Sequence, residues 1–344
     1  MSRPEGMHEQ EFNNLIKVHL SVLFSLSYSF FIGSRIPKGK LRFLSLSPVF
    51  FVFILLPLKL SSVFPTGLIA LFITWLSTLK LVLFSFDLGP LSSHQSKSLQ
   101  NFLLISCLPI KTSQSPKKTP KLPLNSPLKS LLFVLLLPTL NQKQNLHPIL
   151  LLAIYCCLLY LLVDVVSGIC NSFTKAVFGM ELEMPSDEPY LSTSLQDFWG
   201  RRWNLTVTSL LRDAVYTPLR SICGPLLGRT VGVVAAFVVS GLMHELIFYY
   251  VTREAPTWEV TWFFVLHGVS VVVESRVKKL LGRPKWGVCS VVYGPMMVAF
   301  VIVTAHWWFF PPVVRNGADE KAAKEIMSLL EWMMGKAGLT SLHG

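Results

Sequence analysis

Histidine and acidic side chains inside long apolar runs are the residues of this sequence whose types and spacing could do chemistry. His244 lies a little past the middle of one such run, Glu245 follows it directly, and Ser240 precedes it by one helical turn. An ionisable group at mid-membrane depth costs about 2.5–3.5 kcal/mol on insertion scales, so its presence marks a candidate for catalysis or for a proton relay. This His-Glu pair is the first candidate site.

Two other ionisable residues in apolar runs have a simpler interpretation beside the functional one. His267 either lines a substrate tunnel or is a core residue hydrogen-bonded to a neighbouring helix. Asp164 lies near the cytosolic end of another run, where it can reach the membrane surface or pair with an arginine. Together with His244, these residues would supply the proton relay of a transporter, which is the rival class of function.

Several familiar catalytic patterns are missing from the sequence. A zinc protease needs a second histidine four residues after the first, and that position holds Phe248. The sequence also lacks an HHxxxDG motif, a G-x-S-x-G motif, a Gly-rich phosphate loop and a Cys/His spacing that suits a metal. We therefore expect no metal ion and no cofactor. The sequence also lacks the usual signatures of soluble acyltransferases and hydrolases.

The composition indicates which elements must position these residues. Of 344 residues, 51% are hydrophobic and only 15% are charged, whereas about 25% charged residues is usual. A membrane-spanning helix needs about 20 apolar residues. We predict an all-α, polytopic integral membrane protein that forms a single domain over residues 1–344, with about eight transmembrane helices. The predicted spans are Phe12–Gly33, Phe43–Leu58, Val63–Phe86, Leu128–Leu140, Leu146–Ile169, Thr230–Val251, Trp258–Glu274 and Val288–Phe310.

The positive charges alternate along the chain in the way that eight spans predict. Lys and Arg cluster in the first, third, fifth and seventh loops, while each even loop holds a single basic residue. The positive-inside rule then makes the odd loops cytosolic. The fourth span is short, and this alternation is the reason to keep it. The net charge of +12 is spread over these short clusters without forming a basic face, which excludes a nucleic-acid partner.

Two of the cytosolic loops differ in character. The stretch 111–127 is rich in Pro, Lys and Ser, which is typical of a flexible linker. The loop 170–229 is too long for a turn and too aromatic for a disordered linker. Within it, Ser194 fits a helix cap, and the helix that follows is predicted to lie on the membrane. The apolar side of that helix is formed by Leu205, Leu210, Leu211 and Val215.

Two motifs carry a resemblance to a known family. They are D-F-W-G-R-R-W-N at Asp197–Asn204 and S-G-L-M-H-E at Ser240–Glu245, and C-L-P-I-K at Cys107–Lys111 extends the match. Over essentially its whole length the chain resembles the plant wax synthases, which are long-chain-alcohol O-fatty-acyltransferases of the membrane-bound O-acyltransferase superfamily with close sterol acyltransferase relatives. Diacylglycerol and sterol acyltransferases of that superfamily have F-Y-x-D-W-W-N before S-x-x-x-H-E. This sequence has Gly-Arg-Arg where they have Asp-Trp.

The resemblance implies an acyl-CoA-dependent O-acyltransferase with a catalytic tunnel between its helices. His244 would be the general base that takes the proton of a lipid hydroxyl as this attacks the thioester of acyl-CoA. Asn204 would orient or polarise the reacting groups, and Glu245 would be a secondary orienting group. The implied substrate-binding residues are Trp199, Arg201, Arg202, Trp203, Ser240 and His267. The two arginines are either phosphate partners of CoA or ordinary charges of a cytosolic loop.

The resemblance also sets the expected partners. A long-chain fatty alcohol is the first choice of acceptor, which would give a wax ester, and a sterol is the second. Acyl-CoA is a co-substrate rather than a cofactor, membrane lipids surround the protein, and a homo-oligomer is left open. Residence in the endoplasmic reticulum follows from the family and from the place where acyl-CoA meets lipid alcohols.

Overall fold

The computed structural model describes residues 5–109, 126–179, 184–280 and 286–336, and all regular structure in these ranges is helical. The α-helices are α1 (Glu5–Phe31), α2 (Lys40–Leu55), α3 (Val63–Ile69), α4 (Thr78–Ser85), α5 (Leu99–Cys107), α6 (Ser126–Leu136), α7 (Pro148–Phe178), α8 (Leu195–Asp197), α9 (Leu205–Leu211), α10 (Thr217–Ile222), α11 (Gly224–Thr252), α12 (Glu259–Leu280), α13 (Trp286–Thr304), α14 (Pro311–Arg315) and α15 (Ala318–Lys336). The predicted linker 111–127 lies outside the described residues except for its last two. The all-α prediction is confirmed.

Six helical segments within the described ranges are long and apolar enough to cross a membrane. They correspond to the first three predicted spans and to the fifth, sixth and seventh. Their bounds are Glu9–Arg35, Lys40–Lys59, Val63–Ser85, Pro148–Phe178, Leu227–Thr252 and Glu259–Leu280. The prediction of a multi-pass membrane protein is confirmed.

The fourth and eighth predicted spans form shorter helices. α6 has 11 residues, which at 1.5 Å each give about 17 Å, roughly half of the hydrocarbon thickness. Pro138 cannot continue the α-helical hydrogen bonds, and the chain goes on as the 3₁₀ segment Leu137–Asn145. In the eighth span the apolar helix is Tyr293–Phe309, with Pro295 inside α13. The count of eight spans therefore stays a prediction.

An ion pair joins α6 to α7. Lys129 Nζ lies 2.5 Å from Asp164 Oδ2 and donates to the Tyr160 hydroxyl at 2.8 Å. The sequence interpretation left Asp164 either reaching the membrane surface or pairing with an arginine, and the partner in the structure is a lysine, Lys129. Pairing matters here because either charge alone, buried among apolar side chains, would be strongly destabilising.

α11 and α12 cross at two glycines. A Cβ atom added to Gly241 would lie 2.9 Å from Thr261 Cα, and one added to Gly268 would lie 2.8 Å from Phe237 Cβ. These positions have room only for hydrogen, so the two helix backbones can approach closely. The Thr261 amide at the start of α12 also donates to Glu245 Oε1 at 3.2 Å. The helix that carries the His-Glu pair is thereby fixed against α12.

The aromatic motif lies on a helix that is broken in the middle. Ser194 caps α8 as predicted, because its Oγ accepts from the Asp197 amide at 3.1 Å. The helical path stops before α9, where Asn204 has a φ of 41°. Asn204 Oδ1 then caps α9 by accepting from the Val207 amide at 3.3 Å. Asparagine tolerates this left-handed conformation better than most residues, which explains its place at the break.

The apolar side of α9 packs on protein. Leu210 and Leu211 are buried in one cluster with Trp75 and Leu76 of the third span, and Val215 packs against the same cluster. At these three residues the apolar side that the sequence assigned to the membrane is covered by the third span instead. Amphipathic spacing shows that one side of a helix is covered, and it does not distinguish lipid from a neighbouring helix.

A lysine inside the third span holds the end of α5. Lys80 is fully buried, and its Nζ donates to the carbonyl oxygens of Ile105 at 2.7 Å and Leu108 at 2.6 Å. The last carbonyls of a helix have no partner within it, and a basic side chain can satisfy them. The next residue, Pro109, accepts from Thr206 Oγ1 at 3.3 Å, which connects this turn to α9.

Candidate active site

A large cavity lies between α3, α7, α11, α12 and α13. Its volume is about 1240 Å³, above the range of about 300–1000 Å³ that is typical of small-molecule sites. α11 lines it along most of its length, from Arg229 through Ser240 and His244 to Val251. At 1.5 Å per residue this path is about 33 Å long, close to the hydrocarbon thickness of a bilayer. Such a cavity agrees with the predicted tunnel.

His244 lines this cavity with one ring nitrogen that makes no hydrogen bond to a described residue. Its Nδ1 lies 2.7 Å from the carbonyl oxygen of Ser240. A carbonyl only accepts, so Nδ1 carries the hydrogen and Nε2 keeps a lone pair. Among the described residues Nε2 has no hydrogen-bond partner. The ring is held between Trp75 and Phe264, with centroid distances of 5.0 and 4.4 Å.

The aromatic motif contributes Trp199, Trp203 and Asn204 to the same cavity. Trp203 stacks on Phe198 with a centroid distance of 5.8 Å and an interplanar angle of 7°. Asn204 uses its Oδ1 atom to cap α9, so its Nδ2 group is the part that can donate to a ligand. The two motifs, whose key residues are 40 positions apart in the sequence, therefore face one cavity with His244.

His267 lies behind Trp199 and does not line the cavity. It is fully buried. Trp199 Nε1 donates to its Nδ1 at 3.0 Å, so its Nε2 carries the hydrogen and donates to Thr304 Oγ1 at 2.9 Å. Thr304 in turn donates to the Phe300 carbonyl at 2.7 Å. The core-residue interpretation describes this environment, and a role of His267 toward substrate has to act through Trp199.

Arg201 and Arg202 also lie outside the cavity wall. Both pair with Asp197, at 3.1 and 2.9 Å respectively, and the Arg201 side chain is 73% exposed. Arg202 further donates to the carbonyl oxygens of Asp187 at 3.1 Å and Glu188 at 3.4 Å. These contacts hold the loop before the aromatic motif. The role of the two arginines toward CoA phosphates stays a prediction.

Among the described residues, five other basic side chains line one end of the cavity. They are Arg212, Arg220, Arg229, Arg276 and Lys279. The sequence interpretation counted them among the cytosolic loop charges and singled out none of them as a phosphate partner. For Arg229 the sequence spacing could have indicated a place in the cavity, because Arg229 precedes Ser240 by 11 residues and His244 by 15. These separations are close to three and four helical turns, which puts the three residues on one side of α11.

Glu245 points away from the cavity. It is buried, and its carboxylate accepts from the first turn of α12. Consecutive side chains of an α-helix point about 100° apart. Because His244 faces the cavity, the side chain of Glu245 faces away from it. Within the described ranges, no hydrogen bond joins Glu245 to the imidazole, which is oriented by the Ser240 backbone.

The stretch that carries both motifs matches a known family. Residues 184–266 match the model of the Membrane bound O-acyl transferase family. The chain is 42% identical to "Probable long-chain-alcohol O-fatty-acyltransferase 3" of Arabidopsis thaliana, over 95% of this chain and 97% of that protein. It is 38% identical to "Acyl-CoA--sterol O-acyltransferase 1" of the same plant, over 92% and 95%. The chain is thus a membrane-bound O-acyltransferase and belongs to the long-chain-alcohol O-fatty-acyltransferase family.

Proposed function

We propose that this enzyme transfers a fatty acyl group from acyl-CoA to the hydroxyl of a long-chain fatty alcohol and so forms a wax ester. The observation that carries the proposal is the Nε2 atom of His244, which has no hydrogen-bond partner in the described part of the chain and lies in a largely apolar cavity with basic side chains at one end. The relatives' names supply the acyl and alcohol classes. Acyl-CoA and lipid alcohols meet at the endoplasmic reticulum, where we place the reaction.

The His244 imidazole acts as general base. Its Nε2 takes the hydroxyl proton of the alcohol while the oxygen attacks the thioester carbonyl. The tetrahedral intermediate then collapses, the carbon–sulfur bond breaks, and the leaving CoA thiolate takes the proton back from the imidazolium. The ester and free CoA result, and His244 is neutral again. The Ser240 carbonyl keeps Nδ1 protonated throughout and so presents the basic nitrogen to the cavity.

Asn204 stabilises the oxygen that becomes negative in this step. Its Oδ1 is held by the Val207 amide, which fixes the direction of the Nδ2 donor. A donor that is already in place when charge develops is worth about 10²–10³ in turnover at comparable sites. The apolar surroundings also limit competing hydrolysis of the thioester by water.

The five cavity cations bind the anionic CoA head. Arg229 lies 15 residues before His244 on α11, a separation of about 22 Å, which the extended pantetheine arm must bridge. Replacing Arg229 and Arg276 with Gln should raise the KM for acyl-CoA about tenfold or more, since hydrogen bonds to charged groups contribute about 1.5–3 kcal/mol. The same change at Arg201 and Arg202 is the matched control. A larger rise in the KM for acyl-CoA in the Arg201 and Arg202 variant would instead assign the phosphate site to the loop that carries these two arginines.

A sterol is the second candidate acceptor, because a sterol acyltransferase is among the similar proteins. The transporter alternative has less support. Among the described residues no hydrogen bond links Asp164, His244 and His267: the first pairs with Lys129, the second bonds to its own helix, and the third bonds to Trp199 and Thr304.

The decisive experiment is lipid analysis after expression in a host that lacks such esters. Wild-type protein supplied with hexadecanol should accumulate hexadecyl esters detectable by mass spectrometry, and a parallel culture supplied with sterol tests the second acceptor. His244→Ala at equal abundance is the control. If neither acceptor gives an ester and the protein moves protons or solutes across vesicle membranes, the proposed acyltransferase activity is contradicted and the transporter alternative is supported.

A further inference from the structure

The end of the cavity opposite the cations, called the α3/α15 end below, is lined by two elements far apart in the sequence. α3 contributes Val63, Phe64 and Gly67, and the C-terminal helix α15 contributes Ala322, Ala323 and Ile326. Several of these side chains are small, and they face the cavity where bulkier ones would shorten it. Among the described residues, a Cβ atom added to Gly67 would contact Val251 Cγ1 alone, at 3.6 Å. Gly67 therefore leaves space that a larger side chain could occupy.

Polar contacts hold α15 against this end of the cavity. Asp319 accepts from the Tyr155 hydroxyl at 2.6 Å and pairs with Lys143 at 3.0 Å. Burial opposes the charged form of Lys143, but hydrogen bonds to Glu320 and Asp319 outweigh it and raise its pKa. The carboxylate of Glu325 caps α3 by accepting from the amides of Val63 and Phe64 at 3.0 and 2.8 Å. α15 is thus a fixed part of the cavity wall.

A row of aromatic rings leads from the catalytic base to this end. The ring centroids of His244 and Phe309 are 5.7 Å apart, those of Phe309 and Phe310 are 5.5 Å apart, and Tyr155 stacks on Phe310 at 5.5 Å. Phe309, Phe310 and Tyr155 all line the cavity. The space beyond His244 is therefore continuous with the α3/α15 end.

The geometry of a thioester decides which chain enters this space. Its carbonyl carbon carries the sulfur of CoA on one side and the acyl chain on the other, so the two extend in different directions. If the CoA head lies at the cations, the acyl chain has to extend from His244 toward the opposite end. The alcohol then approaches the carbonyl from a third direction, with its own chain elsewhere.

We propose that Gly67 on α3 and Ala322 on α15, which both line this end of the cavity, set the longest acyl chain that the enzyme accepts. This inference rests on the proposed function, since it needs acyl-CoA as donor. The methyl end of the chain lies against the wall that α3 and α15 form together. An acyl group longer than the space has to withdraw its carbonyl from His244, so turnover falls while shorter chains are unaffected.

The test is an acyl-chain series with hexadecanol as fixed acceptor. Ala322→Phe and Gly67→Leu each add a bulky side chain at the α3/α15 end, and Ser328→Phe on the exposed side of α15 is the matched control. In both cavity variants kcat/KM for stearoyl-CoA should fall at least about tenfold relative to that for decanoyl-CoA, since single methylenes in such pockets contribute 10–200-fold. Ser328→Phe should keep the wild-type profile.

Two further measurements make the outcome decisive. A series of alkanols with a fixed short acyl-CoA should show no change in preference, and a shift there instead would assign this end to the alcohol and overturn the proposal. An unchanged acyl profile in both variants, or equal loss at every chain length in folded protein, would also overturn it. If wild-type protein makes no ester from any acyl-CoA, the failure lies in the proposed function itself.

Discussion

His244 and His267 occupy adjacent transmembrane helices, and their surroundings differ in one decisive respect. His244 lines the cavity with one nitrogen bonded to the Ser240 backbone and the other free of hydrogen bonds to described residues. His267 is fully buried, with one nitrogen bonded to Trp199 and the other to Thr304. A histidine with both nitrogens committed to protein has no lone pair for a substrate. The comparison therefore makes His244 the candidate base and His267 a candidate positioning residue.

The variant His244→Asn should show the largest loss of ester formation. The amide of His244→Asn can still donate to the Ser240 carbonyl from near the Nδ1 position, but it has no basic nitrogen where Nε2 was. Ester formation should fall about 10²- to 10⁴-fold, the usual contribution of a general base. Turnover in detergent-solubilised protein measures this. Residual activity within about fivefold of wild type would show that the lone pair of Nε2 is not used.

A smaller effect should follow from His267→Ala, through Trp199. Loss of the ring removes the acceptor of the Trp199 indole and lets this cavity residue move, so kcat should fall about tenfold, as expected when one hydrogen bond of about 1.4 kcal/mol is lost. Trp199→Phe should cause a similar loss, and the double variant should be no worse than the worse single variant. Full additivity of the two losses would mean that His267 acts independently of Trp199.

The variant His267→Asn should lose less activity than His267→Ala. Its Oδ1 lies near the place of the histidine Nδ1 and can accept from Trp199, so His267→Asn should recover most of the activity that His267→Ala loses.

Thr304→Val is a complementary change, because it removes only the hydrogen-bond partner of His267 Nε2. That change leaves a buried donor unpaired, which destabilises by about 1–3 kcal/mol, and should lower the melting temperature more than kcat. A pH–rate profile unchanged from wild type in both variants would agree with positioning.

The smallest effect on turnover is expected for Glu245→Gln. The neutral amide can still accept from Thr261, but it loses the favourable interaction of a carboxylate with a helix N-terminus, about 0.3–1 kcal/mol. Thermal unfolding should register this change while kcat stays within about twofold of wild type. A loss as large as that of His244→Asn would return Glu245 to the catalytic role inferred from the motif.

The sequence predicted those parts of the molecule that depend on local pattern. The spans that contain α1, α2, α7, α11 and α12 follow from apolar length alone. His244 could be found because a histidine in the middle of an apolar run is conspicuous, and Ser240 because it lies one turn away. The contact between them is made by the Ser240 backbone, which every residue type has and no motif can indicate.

The remaining assignments depend on which elements meet across the bundle. Glu245 and His267 lie in the same kind of apolar run as His244, but α12 covers the first and Trp199 covers the second. Arg202 belongs to the motif yet binds Asp197 and its own loop, whereas Arg229 faces the cavity without being part of any motif. Side-chain direction and neighbouring elements decide these cases, and both are properties of the folded chain.

The most direct test of the central claim measures binding and turnover in one preparation of His244→Ala. Labelled palmitoyl-CoA is titrated into purified protein without alcohol, and hexadecanol is then added to follow ester formation. If His244 is the base, the variant should bind palmitoyl-CoA with near wild-type affinity and form almost no ester, because the lost contact is to the hydroxyl proton. Wild-type ester formation by this variant would contradict the account.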